Sequence, residues 1–234
     1  MQAVKQSVAF LERSVCEGTV GTFRFEKPEG YTFDPGQTFS ITLATREGEQ
    51  TKHFTHSQAP ADPYLELTVR LTGSAFKDAL LALNPRDSAS IHGPIGRRIV
   101  PEGIRRVVFL VGGIGVTPAR SMLRDAAQRR EGLEAVVFYG NQTAACIPFK
   151  DELEAYAADR TGWEIVHVLA QPEEGWTGER GFITPEVVRR HVDPEADWYW
   201  VVAGPPPMIE PMRRVLADLG VPPERARVES FLGY

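Results

Sequence analysis

Hydrophobic and polar positions alternate in short runs over the first hundred residues. Turn-forming segments such as Asp34-Pro35-Gly36 separate the runs, and one stretch, 74–83, has helical spacing instead. The predicted strands are 4–11, 19–25, 38–43, 52–57, 64–71 and 88–92. Many short strands with a single helix predict a small antiparallel barrel or sandwich.

The pattern changes after Pro101-Glu102-Gly103, where apolar runs begin to alternate with longer helical stretches. Strands are predicted at 106–111, 135–139, 163–169, 198–203 and 225–229, and helices near 118–130, 149–159, 185–191 and 207–219. Strands that alternate with helices predict a doubly wound parallel sheet. We therefore expect two domains, 1–102 and 103–234.

Composition narrows the class of protein. The 234 residues are 42% hydrophobic, which is enough to form a core in each domain. The net charge is −5, and the cations are scattered rather than gathered in a stripe, which argues against nucleic acid as a partner. No apolar stretch is long enough to span a bilayer, and the charged N-terminal segment does not look like a signal peptide. These features predict a cytoplasmic protein.

The two cysteines, Cys16 and Cys146, lie far apart in the sequence and in no metal-ligand spacing. This pattern predicts neither a disulfide framework nor an iron–sulfur site. His53 and His56 are three residues apart on a predicted strand, so their side chains should point to opposite faces. We therefore expect no metal site.

Residues 112–118 (GGIGVTP) follow the first strand of the second domain and open a helix. Glycines there let the backbone approach a phosphate closely, and the N–H groups at the start of the helix favour an anion. A tight strand-to-helix turn without a ligand is the alternative. The candidate binding residues are Gly112, Gly113, Gly115 and Thr117.

A second turn of this kind, residues 203–208 (AGPPPM), ends the fourth strand of the same domain. Ligands of open parallel sheets bind at the carboxyl ends of the strands, so the two turns should face one crevice. The candidate binding residues in this turn are Gly204, Pro205, Pro206 and Met208.

The first domain contains residues 52–57 (KHFTHS), a strand with a cation, an aromatic ring and a hydroxyl close together. Lys52 and Phe54 share one face of that strand, where they could hold a phosphate and a planar ring. An ordinary half-exposed strand is the alternative. Thr72, Gly73 and Ser74 begin the domain's only helix, either as a phosphate site or as a structural cap.

Taken in order, these segments resemble the ferredoxin-NADP⁺ reductase superfamily over essentially the whole chain. Lys52-x-Phe54-Thr55 resembles its R-x-Y-S/T flavin motif, 112–118 its pyrophosphate loop, 203–208 its C-G-P-P-x-M segment, and 229–234 (ESFLGY) its glutamate and aromatic ending. The resemblance implies an antiparallel flavin-binding β-barrel followed by a doubly wound nucleotide-binding domain.

The same resemblance assigns roles to individual residues. Lys52 and His53 would lie at the flavin, with Lys52 at its phosphates in place of the family arginine. Phe54 would flank the flavin ring and Thr55 would bond near its N5 atom. Thr55 and Glu229 are the expected catalytic residues, and Phe231 or Tyr234 would stack on the flavin.

The implied reaction is transfer of hydride from NADH or NADPH to a flavin, FAD rather than FMN. Electrons would then pass singly to a separate acceptor protein, such as a ferredoxin or an oxygenase component. Two alternatives remain open: a reductase that releases free reduced flavin, and a non-catalytic flavin- or nucleotide-binding subunit. The neutral and acidic residues after the second and third strands of the nucleotide domain favour NADH over NADPH.

Overall fold

The computed structural model describes residues 4–130 and 132–231, which form two sheets. The first sheet is antiparallel, with the strand order β4-β3-β6-β1-β2-β5. Its strands are β1 (Val4–Cys16), β2 (Val20–Glu26), β3 (Thr38–Thr45), β4 (Gly48–Thr55), β5 (Tyr64–Arg70) and β6 (Ser88–Ile95). The two edge strands, β4 and β5, are the ones that the site uses.

The edges of this sheet meet just beyond the end of β4. The Ser57 N–H donates to the carbonyl of Glu66 on β5 at 3.3 Å, which closes the sheet into a barrel. Alternating inward-facing apolar residues fill the barrel, among them Phe23, Phe25 and Phe39, each fully buried. The helix α1 (Ala75–Ala82) packs on this core. This packing is why the alternating pattern folds as a closed sheet.

The second sheet is wholly parallel, with the order β10-β9-β8-β7-β11-β12. Its strands are β7 (Arg106–Gly112), β8 (Glu134–Asn141), β9 (Trp163–Leu169), β10 (Glu179–Arg180), β11 (Tyr199–Gly204) and β12 (Ala226–Ser230). Its helices are α2 (Thr117–Arg129), α3 (Lys150–Asp159), α4 (Pro185–His191) and α5 (Pro206–Asp218). A hydrophobic cluster lies on each face of the sheet.

The strand order reverses between β7 and β11, which lie side by side although three α-helices and three strands separate them in the sequence. Val111 of β7 is paired with Ala203 of β11, so the turns that follow the two strands emerge next to each other. Such a reversal point is where open α/β sheets bind ligands. The predicted barrel and doubly wound sheet are both confirmed.

Most predicted elements lie within a few residues of the observed ones. The main difference in the barrel is β1, which continues to Cys16 and forms a long hairpin with β2. The two-residue strand β10 had no pattern long enough to predict. Ile99 and Val100, placed in the first domain by the sequence, pack in a core of the second sheet. The domain boundary at 102/103 remains a prediction.

The prediction that the cysteines form no disulfide was wrong. Cys16 and Cys146 form a disulfide, with their Cα atoms 6.0 Å apart. Cys16 ends β1 in the barrel, and Cys146 lies between β8 and α3 in the second domain. The pair is 130 residues apart in sequence and is brought together only by the docking of the two domains. Sequence spacing therefore carries no signal for this bond, which covalently joins the two halves.

No helix within the described residues is both long and apolar enough to cross a membrane.

Candidate functional site

A cavity of about 820 Å³ lies between the barrel and the carboxyl edge of the parallel sheet. Its volume is at the upper end of the range for pockets that bind cofactors. The barrel contributes the ends of β4 and β5, and the second domain contributes the turns after β7, β8, β9 and β11. Ten of the predicted site residues line it: His53, Phe54, Thr55, Gly112, Gly113, Gly115, Thr117, Pro205, Met208 and Phe231.

The turn after β7 forms a short 3-10 turn, Gly113–Val116, that leads directly into α2. Gly113 has a φ of +53°, a conformation that favours glycine. At Gly115 a Cβ atom would lie 2.2 Å from the carbonyl oxygen of Ala203 on β11. The sequence predicted that these glycines make room for a phosphate, and the structure shows that Gly115 also makes room for the neighbouring strand.

Met208 holds the two glycine-rich turns together. A Cβ on Gly112 would lie 2.4 Å from the Met208 sulfur, and one on Gly204 would lie 2.7 Å from it. The thioether therefore fills the space that both glycines leave free. Gly204 and Pro206 do not line the cavity themselves, but the Gly204 carbonyl accepts a hydrogen bond from the Phe231 N–H at 3.0 Å. That bond places the C-terminal aromatic residue in the wall of the cavity.

On the barrel side, Phe54 and Thr55 are buried and His53 is exposed. The Phe54 ring stacks on Phe76 of α1, with ring centroids 5.9 Å apart. Lys52 does not line the cavity. It lies close to α1, where its positive charge acts on Lys77.

Two cations that the sequence analysis missed lie on the barrel side, and of these Arg70 lines the cavity and Lys77 does not. Lys77 donates from Nζ to the Thr72 hydroxyl at 2.8 Å. Burial lowers the Lys77 pKa, and the positive charges of Lys52 and Arg70 lower it further. Arg70 ends β5, lines the cavity, and has its Nη2 atom 3.7 Å from where a Cβ on Gly113 would lie. We call Lys52, Arg70 and Lys77 the cationic cluster.

The cationic cluster extends from the start of α1 towards the glycine-rich turn of the second domain. The charges of Lys52 and Arg70 both disfavour the charged form of Lys77, and an anion bound nearby would offset that repulsion. Neither Arg70 nor Lys77 belongs to a recognisable motif, and a lone cation at the end of a strand or inside a helix is usually a solvated surface residue. That Arg70 and Lys77 lie in the same region becomes visible only in the folded structure.

The remaining predicted residues that the structure describes lie outside the cavity. The Ser74 hydroxyl accepts from the Lys77 N–H at 3.4 Å and so caps α1, which favours the structural alternative for this residue. Thr72 and Gly73 precede it and are exposed. Glu229 accepts a hydrogen bond from the Arg227 side chain at 2.7 Å and does not line the cavity. Tyr234 lies outside the described residues.

A large exposed aromatic side chain, Phe182, lines the cavity and has 72% of its surface accessible. It follows β10, and Asn141 and Gln142, which end and follow β8, line the same cavity. An exposed ring in the wall of a cavity offers a platform on which a planar base can stack. In residues 4–130 and 132–231, no group of three or more His, Cys, Asp or Glu side chains is arranged to hold a metal ion.

His56, directly after the flavin-like motif, is fully buried beneath the barrel wall. Its ring stacks on Phe33, with centroids 3.8 Å apart. The Nδ1–H donates to the Gln37 carbonyl at 2.7 Å, and the Tyr31 hydroxyl donates to Nε2 at 3.0 Å. Burial lowers the His56 pKa to about 3, so the ring is neutral and acts as a structural support for the strand that precedes it.

This support predicts a loss of stability in mild acid. The native pKa is about 3 and the ordinary value is 6.5, so the unfolded chain takes up a proton that the native protein does not. The stability is present above pH 6.5 and is lost as the pH falls towards 3. Between pH 7 and pH 5 the free energy of unfolding should drop by roughly 2 kcal/mol from this residue.

Urea titrations of the wild type and of His56→Asn at several pH values test this expectation. The variant keeps a side-chain donor but cannot titrate, so its stability should change less between pH 7 and pH 5. Parallel pH dependences of the two proteins would contradict the assignment.

Comparison with known proteins agrees with this geometry. Residues 109–214 match the family described as the oxidoreductase NAD-binding domain. NADH-cytochrome b5 reductase 1 of Emericella nidulans is 31% identical over 218 residues, which cover 86% of this chain and 69% of that protein. The chain spans 64 to 69% of the length of three such curated relatives.

Two solved structures share the whole fold. The cytochrome b5 reductase domain of Ulva prolifera nitrate reductase superimposes with a TM-score of 0.84 at 23% identity, covering 97% of each chain. The flavohaem-like FAD/NAD-binding domain of nitric oxide dioxygenase from Vibrio cholerae gives a TM-score of 0.86 at 20% identity, covering 97% of this chain and 98% of that one.

Proposed function

This chain belongs to the ferredoxin-NADP⁺ reductase-like superfamily of flavin- and NAD-binding oxidoreductases, and we propose that it carries electrons from NADH through FAD to a separate acceptor protein. It is an NAD(P)H-dependent flavoprotein reductase. The observation that supports the proposal best is the cavity in which the β4 motif of the barrel faces both glycine-rich turns of the parallel sheet.

The barrel side of the cavity fits FAD. Phe54 and Thr55 supply a buried ring and a hydroxyl in the cavity wall, suited to a planar flavin, and Arg70, the member of the cationic cluster that lines the cavity, supplies charge for a pyrophosphate. When bound, FAD supplies the conversion between the two-electron chemistry of nicotinamide and one-electron transfer. The chain's own residues bind and orient the two partners.

The other side of the cavity fits a nicotinamide dinucleotide. The 3-10 turn before α2 presents backbone N–H groups to a phosphate, and Thr117 adds a hydroxyl beside them. Arg70 reaches the same turn from the barrel, so it can neutralise phosphates of either dinucleotide. Phe182 offers a surface for the adenine, and Phe231 lies in the wall near the predicted flavin position.

The visible spectrum of the purified protein tests the proposal directly. We expect flavin absorption bands that bleach when NADH is added without oxygen, and that return when an oxidised one-electron acceptor such as cytochrome b5 or a ferredoxin is supplied. A flavin lost on gel filtration would favour a reductase that releases free flavin. A protein that binds no flavin and oxidises no nicotinamide would overturn the proposal.

Lys52→Ala should weaken flavin retention more than it slows reduction by NADH. The lysine is proposed to meet phosphate rather than the reacting ring, and one charge-assisted hydrogen bond contributes about 1.5 to 3 kcal/mol, or roughly ten- to a hundredfold in affinity. Titration of the apoprotein with FAD measures this, with Lys5→Ala, an exposed lysine on β1, as the control. An FAD affinity within twofold of the wild type would show that Lys52 does not bind the flavin phosphates.

NADH should be used better than NADPH, with kcat/KM higher by about tenfold or more. At the ends of β8 and β9 the cavity is lined by Asn141, Gln142 and Ala170, which are all neutral. Glu173 and Glu174 follow shortly afterwards in the sequence. A 2′-phosphate placed there would lose its hydration without gaining a cation. Steady-state assays with both nucleotides decide this, and a clear preference for NADPH would refute it.

For the electron acceptor we propose a class of protein rather than a particular one, and the cellular compartment is treated separately. The curated relatives are named for cytochrome b5, so a small haem or iron–sulfur protein is the class of acceptor we propose. The cytoplasm expected from the sequence remains a prediction. The Cys16–Cys146 disulfide counts against a strongly reducing compartment, because such bonds are rare there.

A further inference from the structure

Helix α2 begins at the glycine-rich turn and carries a series of side chains that bind the barrel. Arg120 donates to the Ser57 carbonyl at 2.6 Å, and Ser121 donates to the Gln58 carbonyl at 2.6 Å. One turn further along the helix, Arg124 binds both carboxylate oxygens of Asp62, at 2.6 and 3.1 Å. All of the acceptors belong to β4–β5 or to the segment between them.

Arg120 is the centre of this contact. Its guanidinium forms an ion pair with Glu66 of β5, and only 3% and 0% of the two side chains are exposed. It also binds Glu152 of α3 at 2.9 Å and lies over the Phe149 ring, with 4.0 Å between the guanidinium carbon and the ring centroid. An arginine with this many partners is held in one position.

The charges of the contact balance across the domain boundary. Glu66 is also bound by Arg24 of the barrel at 2.8 Å and by the Ser57 hydroxyl at 2.9 Å. Burial alone would raise the pKa of Glu152, but the charge and hydrogen bond of Arg120, with further hydrogen bonds from Tyr156 and Arg124, lower it instead. The cost of removing two charges from water offsets most of the attraction in a buried pair such as Arg120–Glu66. The main effect of the pair is to fix the relative position of α2 and β5.

The contact links the two halves of the cavity by a very short route. Thr117 lines the cavity and lies one helical turn before Arg120, while Thr55 lines it from the other side and lies two residues before Ser57. The route consists of one turn of helix, one hydrogen bond and two residues of backbone just beyond β4.

We propose that Arg120, through Ser57 and Glu66, is a positioning residue that sets the distance between the nicotinamide turn and the flavin strand. The inference rests on the proposed function. Arg120 itself does not line the cavity, so it acts through the residues that do. Reduction of flavin by NADH requires the two rings at near-attack distance, and a misplacement of about 1 Å slows such a step by roughly a hundredfold.

Arg120→Lys is the informative change, because lysine keeps the charge next to Glu66 and loses the planar fork that reaches several partners. We expect FAD affinity and KM for NADH to stay within about twofold, and anaerobic flavin reduction to slow by about ten- to a hundredfold. The charge-transfer absorption of reduced flavin with NAD⁺, which depends on ring stacking, should weaken. In the apoprotein, amide hydrogen exchange at the start of α2 should increase.

Arg24→Lys is the matched control. It changes another ion-pair partner of Glu66, but one that belongs to the barrel domain itself, so the contact between the domains stays intact. Ser121→Ala is a second, milder test on the same helix that removes a hydrogen bond and no charge. It should slow flavin reduction by about threefold, and its effect should not simply multiply with that of Arg120→Lys, because the two residues bind neighbouring carbonyls of the barrel.

The first step is to test whether the wild-type protein binds FAD and is reduced by NADH. A failure of the proposed function would then be seen before any variant is compared. The positioning role is overturned if Arg120→Lys and Arg24→Lys slow flavin reduction equally. It is also overturned if both Arg120→Lys and Ser121→Ala leave the reduction rate and the charge-transfer band unchanged. If Arg120→Lys does not fold, the result with Ser121→Ala decides.

Discussion

Replacing Gly115 with alanine is expected to slow the reduction of flavin by NADH by about a hundredfold. The new Cβ would lie 2.2 Å from the carbonyl oxygen of Ala203, 2.6 Å from its carbonyl carbon and 2.8 Å from the Cα of Gly204. All three are backbone atoms of a buried strand or of the turn that follows it, so they cannot rotate away. The turn after β7 must move instead, and it carries the proposed nucleotide site with it.

The same overlap should lower the free energy of unfolding by about 1 to 3 kcal/mol, the usual cost of inserting a methyl group into a packed interior. Gly132→Ala is the control, since a Cβ there meets nothing within 4 Å and its φ is not in the left-handed region. Stopped-flow reduction and urea denaturation of both variants provide the measurements. If Gly115→Ala changes the reduction rate and the stability as little as Gly132→Ala does, the two turns are not in tight contact.

Breaking the Cys16–Cys146 disulfide should lower the free energy of unfolding by about 2 to 5 kcal/mol. The bond connects residues 130 positions apart, so it restricts the unfolded chain strongly, and loops of this length give the upper part of that range. Because it joins β1 of the barrel to the segment after β8, its loss should also weaken the docking of the two domains.

Urea titrations of the wild type, with and without a dithiol reductant, measure the effect. The double variant Cys16→Ser, Cys146→Ser is the control, because its stability should match that of the reduced wild type and should not change with reductant. Thiol titration of the unfolded, unreduced protein should find no free cysteine. Two free thiols in freshly purified protein would contradict the bond.

Local pattern was sufficient to predict most of the fold. Strand and helix periods depend on neighbouring residues, so β2, β3, β7 and β9 could be predicted almost to the residue. The meeting of the two glycine-rich turns could also be predicted, because parallel strands place their carboxyl ends on one edge. His53, Phe54 and Thr55 were found for a similar reason, as one strand presents them together.

The features that could not be predicted all join parts of the chain that are distant in sequence. Arg120 looks like an ordinary polar residue of an amphipathic helix, yet only 3% of its side chain is exposed because it pairs with Glu66 of the barrel. Arg70 and Lys77 acquire their common place only when β5 and α1 are packed. The role of Gly115 towards Ala203 likewise depends on the contact between two strands, which no local pattern records.

The pairing of β1 has a consequence for the order in which the chain can fold during synthesis. Lys5 lies opposite His92 and Val8 lies opposite Ala89, so β1 finds one of its two neighbours only after β6 has been made. At roughly 5 to 20 residues per second, that delay is about 4 to 18 seconds. During this time Val8 and Phe10, fully covered in the finished barrel, lack part of their packing. The barrel therefore closes late, and β1 has to be kept from aggregating while the rest of the domain is being made.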